Sequence, residues 1–252
     1  LVDCGLAFPE DDMLGIDLVI PDLTYLEKNK EKIRGLVITH GHEDHIGSIP
    51  YLLKQFNVPI YGTKLTIGLI EHKLEEHKLL KSAKLKVVTP GQTVSLGSMK
   101  VEFIRITHSI PDACSLAIHT PVGTVVHTGD FKIDYTPIDG EMIDFGRLAE
   151  LGNKGVLALM SDSTNSERKG YTMSESTVGE VLDKLFINCT KRIVVATFSS
   201  NVHRIQQIVN SAVKYGRKVA ICGRSMVNTI ETARKFGYIK VPDNVFIDID
   251  MI

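Results

Sequence analysis

Short apolar segments alternate along most of the chain with longer segments in which apolar residues recur every three to four positions. The short segments predict buried strands and the longer ones predict amphipathic helices. Strands are predicted at 35–39, 58–61, 84–89, 99–107, 115–120, 124–128 and 156–160, and helices at 46–56 and 65–80. The sequence therefore predicts an α/β domain whose strands are separated by glycine- and proline-containing turns.

The pattern changes after about residue 172 to a regular alternation of strands and helices. Helices are predicted at 174–186, capped by Ser174, and at 202–215 and 226–236, and strands at 192–197, 218–222 and 246–252. A βαβα order is typical of a small parallel sheet. We place a domain boundary near Gly170, which gives domains at 1–172 and 173–252.

Composition and charge narrow the class of protein. The 252 residues are 43% hydrophobic, carry a net charge of -1 and have a pI of about 6.8, so a nucleic-acid partner requires a local basic patch. The four cysteines form no CxxC pair and no apolar segment is long enough to span a membrane, which favours a cytoplasmic protein with reduced thiols. The chain begins without Met and ends in a predicted strand, so we expect a segment of a longer protein.

One segment carries a concentration of metal-ligand side chains. His40, His42, Asp44 and His45 lie within six residues, directly after a predicted buried strand. Imidazole and carboxylate are the ligands of catalytic zinc and manganese sites. One ion cannot easily use all four at this spacing, whereas two ions can, with His40 and His42 on one and Asp44 and His45 on the other. A solvated histidine-rich loop is the alternative.

Further ligands are expected at the ends of other strands. His108 follows the strand predicted at 99–107, and Asp130 follows the strand at 124–128. Residues at strand ends commonly form functional sites, although a single His or Asp there is more often a plain polar terminus. Asp3 lies beside Gly5 at a third strand end, where it can accept a hydrogen bond from a metal-bound histidine and orient it.

The residues Asp3, HxHxDH at 40–45, His108 and Asp130 resemble the metallo-β-lactamase superfamily. Five further segments resemble ribonuclease J, in the β-CASP branch: FPEDDMLGID at 8–17, THSIPD at 107–112, TGDFK at 128–132, SDSTN at 161–165 and GRSM at 223–226. The resemblance spans essentially the whole chain. It implies an incomplete metallo-β-lactamase αββα sandwich followed by part of a β-CASP βαβα domain.

The resemblance also implies roles for individual residues. His40, His42 and His108 hold one divalent ion, Asp44 and His45 hold a second, and Asp130 bridges both. Asp162 matches an acidic residue close to the metals, at the start of the β-CASP insertion. The family uses two later histidines that this sequence does not present in a matching motif, so the chain alone is expected to be an incomplete catalyst. The favoured ions are two zinc ions, with manganese as the alternative because histidine and carboxylate ligands accept both.

A candidate phosphate site lies in the second predicted domain. Ser199, Ser200 and Asn201 stand between a strand and a helix whose first turn carries Arg204. Such a junction offers hydroxyls, backbone N–H groups and the positive end of a helix to a phosphate. The alternative is an ordinary helix cap beside a surface arginine. The resemblance favours a site for RNA 5′ ends.

These observations predict a metal-dependent ribonuclease with 5′-3′ exonuclease and endonuclease activity in RNA processing, whose substrate is RNA with a 5′-monophosphate. The resemblance further implies a homo-oligomer or a complex with a paralogue. Two other functions remain open. One is a small-molecule hydrolase of the same superfamily, against which the βαβα segment at 173–252 argues. The other is a non-catalytic assembly subunit, against which the intact ligand set argues.

Overall fold

The structure is a computed structural model that describes residues 1–251. Its contacts divide the chain into two compact units. The first comprises Leu1–Ile106, Asp112–Phe131 and Asp144–Asp162, and the second comprises Thr107–Pro111, Lys132–Ile143 and the chain from Ser163 onward.

Two sheets form the framework of the first unit. A parallel sheet has the order β1 (Leu36–Val37), β2 (Pro59–Gly62) and β3 (Lys84–Val87). A second sheet has the order β4 (Thr93–Leu96), β5 (Met99–Arg105), β6 (Cys114–Thr120), β7 (Gly123–His127) and β8 (Ala158–Met160). Its first four strands are antiparallel, and β8 joins β7 in parallel.

The helices of the first unit are mostly short. They are α1 (Thr24–Lys28), α2 (Glu43–Ile46), α3 (Ile49–Gln55), α4 (Lys64–Glu76) and α5 (Phe145–Lys154), with a 3-10 turn at Lys30–Lys32. Helices α1 and α5 and strand β4 were not predicted from the sequence. The helix predicted at 46–56 is observed as α3, which begins at Ile49, and the short helix α2 before it was not predicted.

Alternating side chains of the strands divide the core into layers. Leu36 and Ile38 pack against α3 and α4, whereas Val37 between them packs against Phe103 and Leu116 of the second sheet. On the far side of that sheet, Ile104, Ala117 and Val126 pack against Leu148 and Leu151 of α5. Successive residues of a strand point to opposite faces, so each sheet buries both faces. The result is the predicted αββα sandwich.

A partly buried ion pair fastens α5 to the second sheet. Arg147 donates from Nε to Glu102 Oε1 (2.6 Å) and from Nη2 to Glu102 Oε2 (2.9 Å), and His119 Nε2 lies 3.2 Å from the same carboxylate. Glu102 is 8% exposed, so its charge is largely removed from water. The ionised Glu102 carboxylate in the folded protein is therefore stabilised mainly by Arg147.

We expect Arg147→Ala to lower the free energy of unfolding by about 2 kcal/mol, because it leaves a buried carboxylate without its bidentate partner. Glu150→Ala removes the exposed partner of the same arginine and is the matched control, with an expected cost below about 0.5 kcal/mol. Urea unfolding of both variants measures the two costs. Equal costs would contradict the assignment.

The same pair predicts a dependence on pH. The hydrogen bonds from Arg147 lower the pKa of Glu102 below its usual value, so the folded protein favours the ionised carboxylate. Its contribution is complete above the ordinary glutamate pKa of about 4.3 and is lost as the pH falls toward the lowered folded value. The difference between Arg147→Ala and the unchanged protein should therefore shrink below about pH 4.

The second unit contains α6 (Ser176–Ile187), α7 (Val202–Lys214) and α8 (Arg224–Lys235), with β9 (Val219–Ala220) parallel to β10 (Phe246–Ile247). Leu182, Phe186 and Ala212 form the core between α6 and α7. The parallel pairing agrees with the predicted βαβα order. The predicted cap Ser174 stands one position before the observed N-cap, Glu175, although its Oγ accepts from Ser176 N.

One predicted strand of the second unit is wrong, and another is longer than the observed strand. Residues 192–197 pair with no strand within residues 1–251, and Val194 is 88% exposed. A β-branched segment forms a strand only where a neighbouring strand accepts its hydrogen bonds. The strand predicted at 246–252 ends at Ile247 and is followed by a 3-10 turn at Ile249–Met251, while Ile252 lies outside the described residues.

Among the helices of residues 1–251, none combines the length and the apolar character needed to cross a membrane.

Candidate metal centre

The histidine-rich segment begins where β1 ends. Thr39 and His40 follow the strand and are fully buried, and His42 is the N-cap of α2. The N–H groups of His45 and Ile46 both donate to His42 O at 3.0 Å. This single helical turn reverses the direction of the chain, which explains how six consecutive residues bring several ligand side chains to one place.

The N-terminal segment lies tightly against this turn. Val2 pairs in parallel with Val37, and Cys4 N donates to His45 O at 2.8 Å. A Cβ at Gly5 would stand 1.5 Å from the carbonyl oxygen of Asp44. Glycine is therefore the only residue that allows this approach, and it places Asp3 beside the end of β1.

Two groups of side chains have the spacing of metal ligands. His40, His42 and His108 form one, and His40, His45 and Asp130 form the other, with the ligand atoms of each group within 4.8 Å of one another. His40 is fully buried and the other members are half-buried. Imidazole nitrogens with one carboxylate fit a divalent cation such as zinc or manganese.

The electrostatics of the second group also fit a cation. His45 Nε2 lies 3.4 Å and His40 Nε2 lies 4.0 Å from Asp130 Oδ2. Burial lowers the pKa of His45, but hydrogen bonds with Asp130 and Asp3 outweigh burial and raise it to about 10. The surroundings of His45 therefore stabilise positive charge, which a proton or a divalent ion supplies.

Asp3 and Thr39 contact the Nδ1 atoms of the histidines. Asp3 Oδ2 accepts from His45 Nδ1 at 2.8 Å, which is the orienting contact expected from the sequence. Thr39 was not singled out, yet its N–H and hydroxyl both donate to Asp3 at 2.8 Å. The signal in the sequence is slight, namely a hydroxyl residue between an apolar strand and the first histidine.

Glu43 and Asp44, the two acidic residues of the segment, have different surroundings. Glu43 accepts from Lys73 Nζ of α4 through Oε1 at 2.7 Å and belongs to neither ligand group. The side chain of Asp44 is 68% exposed, and its Oδ2 lies 3.7 Å from His45 Nε2. Asp44 belongs to neither ligand group, so the predicted role of Asp44 as a ligand stays a prediction.

Asp162 is connected to the strand that supplies Asp130. Its N–H donates to Thr128 Oγ1 at 2.8 Å, two residues before Asp130, and its side chain is half-buried. Asp162 is in neither ligand group. The structure thus places its backbone beside the segment that carries Asp130, while its part in the chemistry stays a prediction.

The candidate phosphate residues lie at the start of α7. Asn201 is the N-cap and accepts from Arg204 N at 2.9 Å, as the simpler interpretation of this junction expected. Ser199 Oγ lies 2.9 Å from Ser225 Oγ, which joins the segment before α7 to the first turn of α8, and Ser200 is half-buried. The guanidinium of Arg204 is bound to both oxygens of Glu175, so a phosphate must compete for it.

Comparison with known families agrees with this geometry. The profile of the metallo-beta-lactamase superfamily matches residues 1–154, and that of the ribonuclease J beta-CASP domain matches residues 190–252. A crystal structure of a protein of unknown function from Enterococcus faecalis superposes with a TM-score of 0.69 over 99% of this chain and 68% of its own, at 18% identity. That similarity supports the fold alone.

Curated relatives align along nearly the whole chain. Ribonuclease J of Synechocystis sp. is 57% identical over 99% of this chain and 39% of its own length. Ribonuclease J of Thermus thermophilus is 47% identical over 98% and 44%, and ribonuclease J2 of Bacillus subtilis is 44% identical over 99% and 45%. The chain thus spans less than half the length of these relatives. With its fold and ligand groups, it belongs to the metallo-β-lactamase superfamily and, within that superfamily, to the ribonuclease J family of the β-CASP branch.

Proposed function

We propose that this chain forms the metal-binding part of a metal-dependent ribonuclease that hydrolyses RNA phosphodiester bonds. The observation that carries the proposal is the pair of ligand groups that share His40. Relatives named ribonuclease J across the whole chain support RNA as the substrate. Zinc is the favoured metal, and manganese suits the same ligands.

Each residue of the site has a defined task in this proposal. His40, His42 and His108 hold one ion, Asp44 and His45 contribute to a second, and Asp130 contacts both. A pair of divalent ions supplies an activated water and neutralises negative charge on the phosphoryl group. Asp3 keeps His45 in place through Nδ1, and Asp162 adds negative charge near the segment of Asp130.

We assign recognition of a 5′-monophosphate to the start of α7. Ser199 and Ser200 offer hydroxyls there, and the first N–H groups of the helix carry its positive end. Ser225 adds a third hydroxyl within hydrogen-bond distance of Ser199. Arg204 is engaged with Glu175, so its contribution to phosphate binding requires that the ion pair open.

Incubation of RNA with the full-length protein that contains this segment tests the proposal, because the chain spans less than half the length of its relatives. We expect zinc or manganese to restore cleavage after chelation, 5′-3′ shortening of RNA that carries a 5′-monophosphate, and slower cleavage of RNA with a 5′-hydroxyl. Fragments cut internally would report the endonuclease activity. Hydrolysis of a thioester without any cleavage of RNA would instead support the small-molecule hydrolase, and no turnover of either would support the non-catalytic subunit.

The proposal includes two statements about the protein in the cell. Its four cysteines are free, and Cys4 and Cys114 are buried, which supports a reducing compartment such as the cytoplasm. We also propose that the protein assembles with a second copy or a paralogue. Light scattering of the purified protein measures its mass, and a monomer at all concentrations would contradict assembly.

A further inference from the structure

Thr39 stands at the meeting point of the segments that supply the metal ligands. It is fully buried, and its hydroxyl contacts three ionisable side chains: Asp3 Oδ2 at 2.8 Å, His40 Nδ1 at 3.0 Å and His45 Nδ1 at 3.4 Å. Its carbonyl oxygen accepts from Cys114 N at 2.9 Å. A buried hydroxyl with this many polar neighbours has a defined role in their hydrogen bonding.

Counting protons determines the direction of each hydrogen bond. A carboxylate only accepts, so the single hydroxyl proton of Thr39 is donated to Asp3. The same oxygen therefore acts as the acceptor toward His40, whose Nδ1 must carry the proton. His45 Nδ1 likewise donates to Asp3, at 2.8 Å. Both rings thus hold a proton on Nδ1.

The opposite ring atoms are the ones directed toward the ligand group. His40 Nε2 and His45 Nε2 lie 4.0 and 3.4 Å from Asp130 Oδ2, and these three residues form one of the two candidate metal groups. A histidine with its proton on Nδ1 offers the lone pair of Nε2 to a metal. Thr39 therefore favours the tautomer of His40 that can bind an ion there.

Thr39 also packs against the segment that carries Asp130. A Cβ at Gly129 would come within 3.2 Å of Thr39 Cβ and 3.0 Å of the Cys114 carbonyl oxygen, and Gly129 has a φ of +59°. The absence of a side chain at Gly129 lets the backbone before Asp130 approach Thr39 closely. One side chain thus contacts Asp3, His40, His45 and the residue preceding Asp130.

We propose that Thr39 is a positioning residue of the metal centre, which holds His40 in its Nδ1–H tautomer and locks Asp3 against His45. This inference rests on the proposed metal site and adds a residue that acts only through the ligands. Loss of such an outer partner typically weakens metal binding by about 10–100-fold. Thr39→Val keeps the shape of the side chain and removes only the hydroxyl.

Zinc affinity of the full chain, measured by competition with a chromogenic chelator, tests the proposal. We expect Thr39→Val to bind zinc at least about tenfold more weakly, while Thr39→Ser retains an affinity close to that of the unchanged protein. Thr66→Val is the matched control, because Thr66 is also buried and its hydroxyl lies 3.0 Å from the hydroxyl of Thr63, which is not a candidate ligand. It should bind zinc normally.

A spectroscopic measurement keeps the test decisive if Thr39→Val does not fold. In the zinc-loaded protein labelled with ¹⁵N-histidine, we expect His40 to show a slowly exchanging Nδ1 proton and a metal-bound Nε2, and Thr39→Ser to preserve both. Metal ligation through Nδ1 of His40, or wild-type zinc affinity in folded Thr39→Val, would overturn the role of Thr39. Absence of zinc binding by the unchanged protein would instead overturn the proposed function.

Discussion

Replacing His42 with alanine in the full-length protein is expected to reduce RNA cleavage by more than about a hundredfold, because loss of even an outer partner of a metal ligand typically costs about 10–100-fold. His42 belongs to the group with His40 and His108. It is half-buried and makes no capping hydrogen bond with its side chain to α2, so its removal takes little from the core. Thermal unfolding should therefore change little while the bound metal, measured by elemental analysis, decreases.

A matched control is available in the same unit. His77 follows α4, where its ring lies 5.5 Å from that of Tyr51 and its Nδ1 lies 3.3 Å from Lys54 Nζ. His77→Ala makes the same chemical change away from the candidate ligands and should leave cleavage and metal content as they are. Near-normal nuclease activity in His42→Ala would refute the assignment of His42 to the metal.

Gly5→Ala is expected to produce the largest effect on stability of any single methyl group added to the first unit. The new Cβ would stand 1.5 Å from Asp44 O and 2.7 Å from His45 N, both backbone atoms that cannot rotate away. Either the N-terminal segment or the metal-binding turn must move. We expect a loss of about 3 kcal/mol in the free energy of unfolding, measured by urea denaturation, and weaker zinc binding.

The same substitution at Gly152 is the matched control, because Gly152→Ala is not expected to lower the free energy of unfolding. Gly152 lies within α5, and a Cβ there meets no atom within 4 Å. Alanine is favoured over glycine in a helix by about 0.5–1 kcal/mol, so this variant should be as stable as the unchanged protein or slightly more stable. If Gly5→Ala were equally well tolerated, the close approach of residues 3–5 to the metal-binding turn would be wrong.

The local sequence predicted strands and ligand residues correctly where these depend on residues adjacent in the chain. The apolar strand before His40 was predicted at 35–39 and is observed as β1, Leu36–Val37. His108 and Asp130 were predicted from their positions after strands, and the structure brings each into a ligand group with His40. The same reasoning could not predict that the Asp44 side chain is exposed and lies outside both ligand groups, because exposure depends on which distant segments pack over the turn.

Predictions failed where the partner lies far away in sequence. Residues 192–197 have the composition of a strand, but no neighbouring strand pairs with them within the described residues. The contact of Arg204 with Glu175, distant by 29 positions, was likewise not predicted, and the role of Arg204 at a phosphate stays a prediction. Neither outcome is encoded in the local pattern, since both depend on which segments pack together.

The sequence by itself determined the family, the ligand types and most strands of the first unit, including the strand that precedes His40. Only the tertiary structure decided that the Asp3 carboxylate receives both the Thr39 hydroxyl and His45 Nδ1, and that Gly5 must lack a side chain. The reason is physical. Ligand chemistry and apolar periodicity are properties of neighbouring residues, whereas hydrogen-bond direction and close backbone approach arise only when segments 36 to 42 positions apart meet in a packed core.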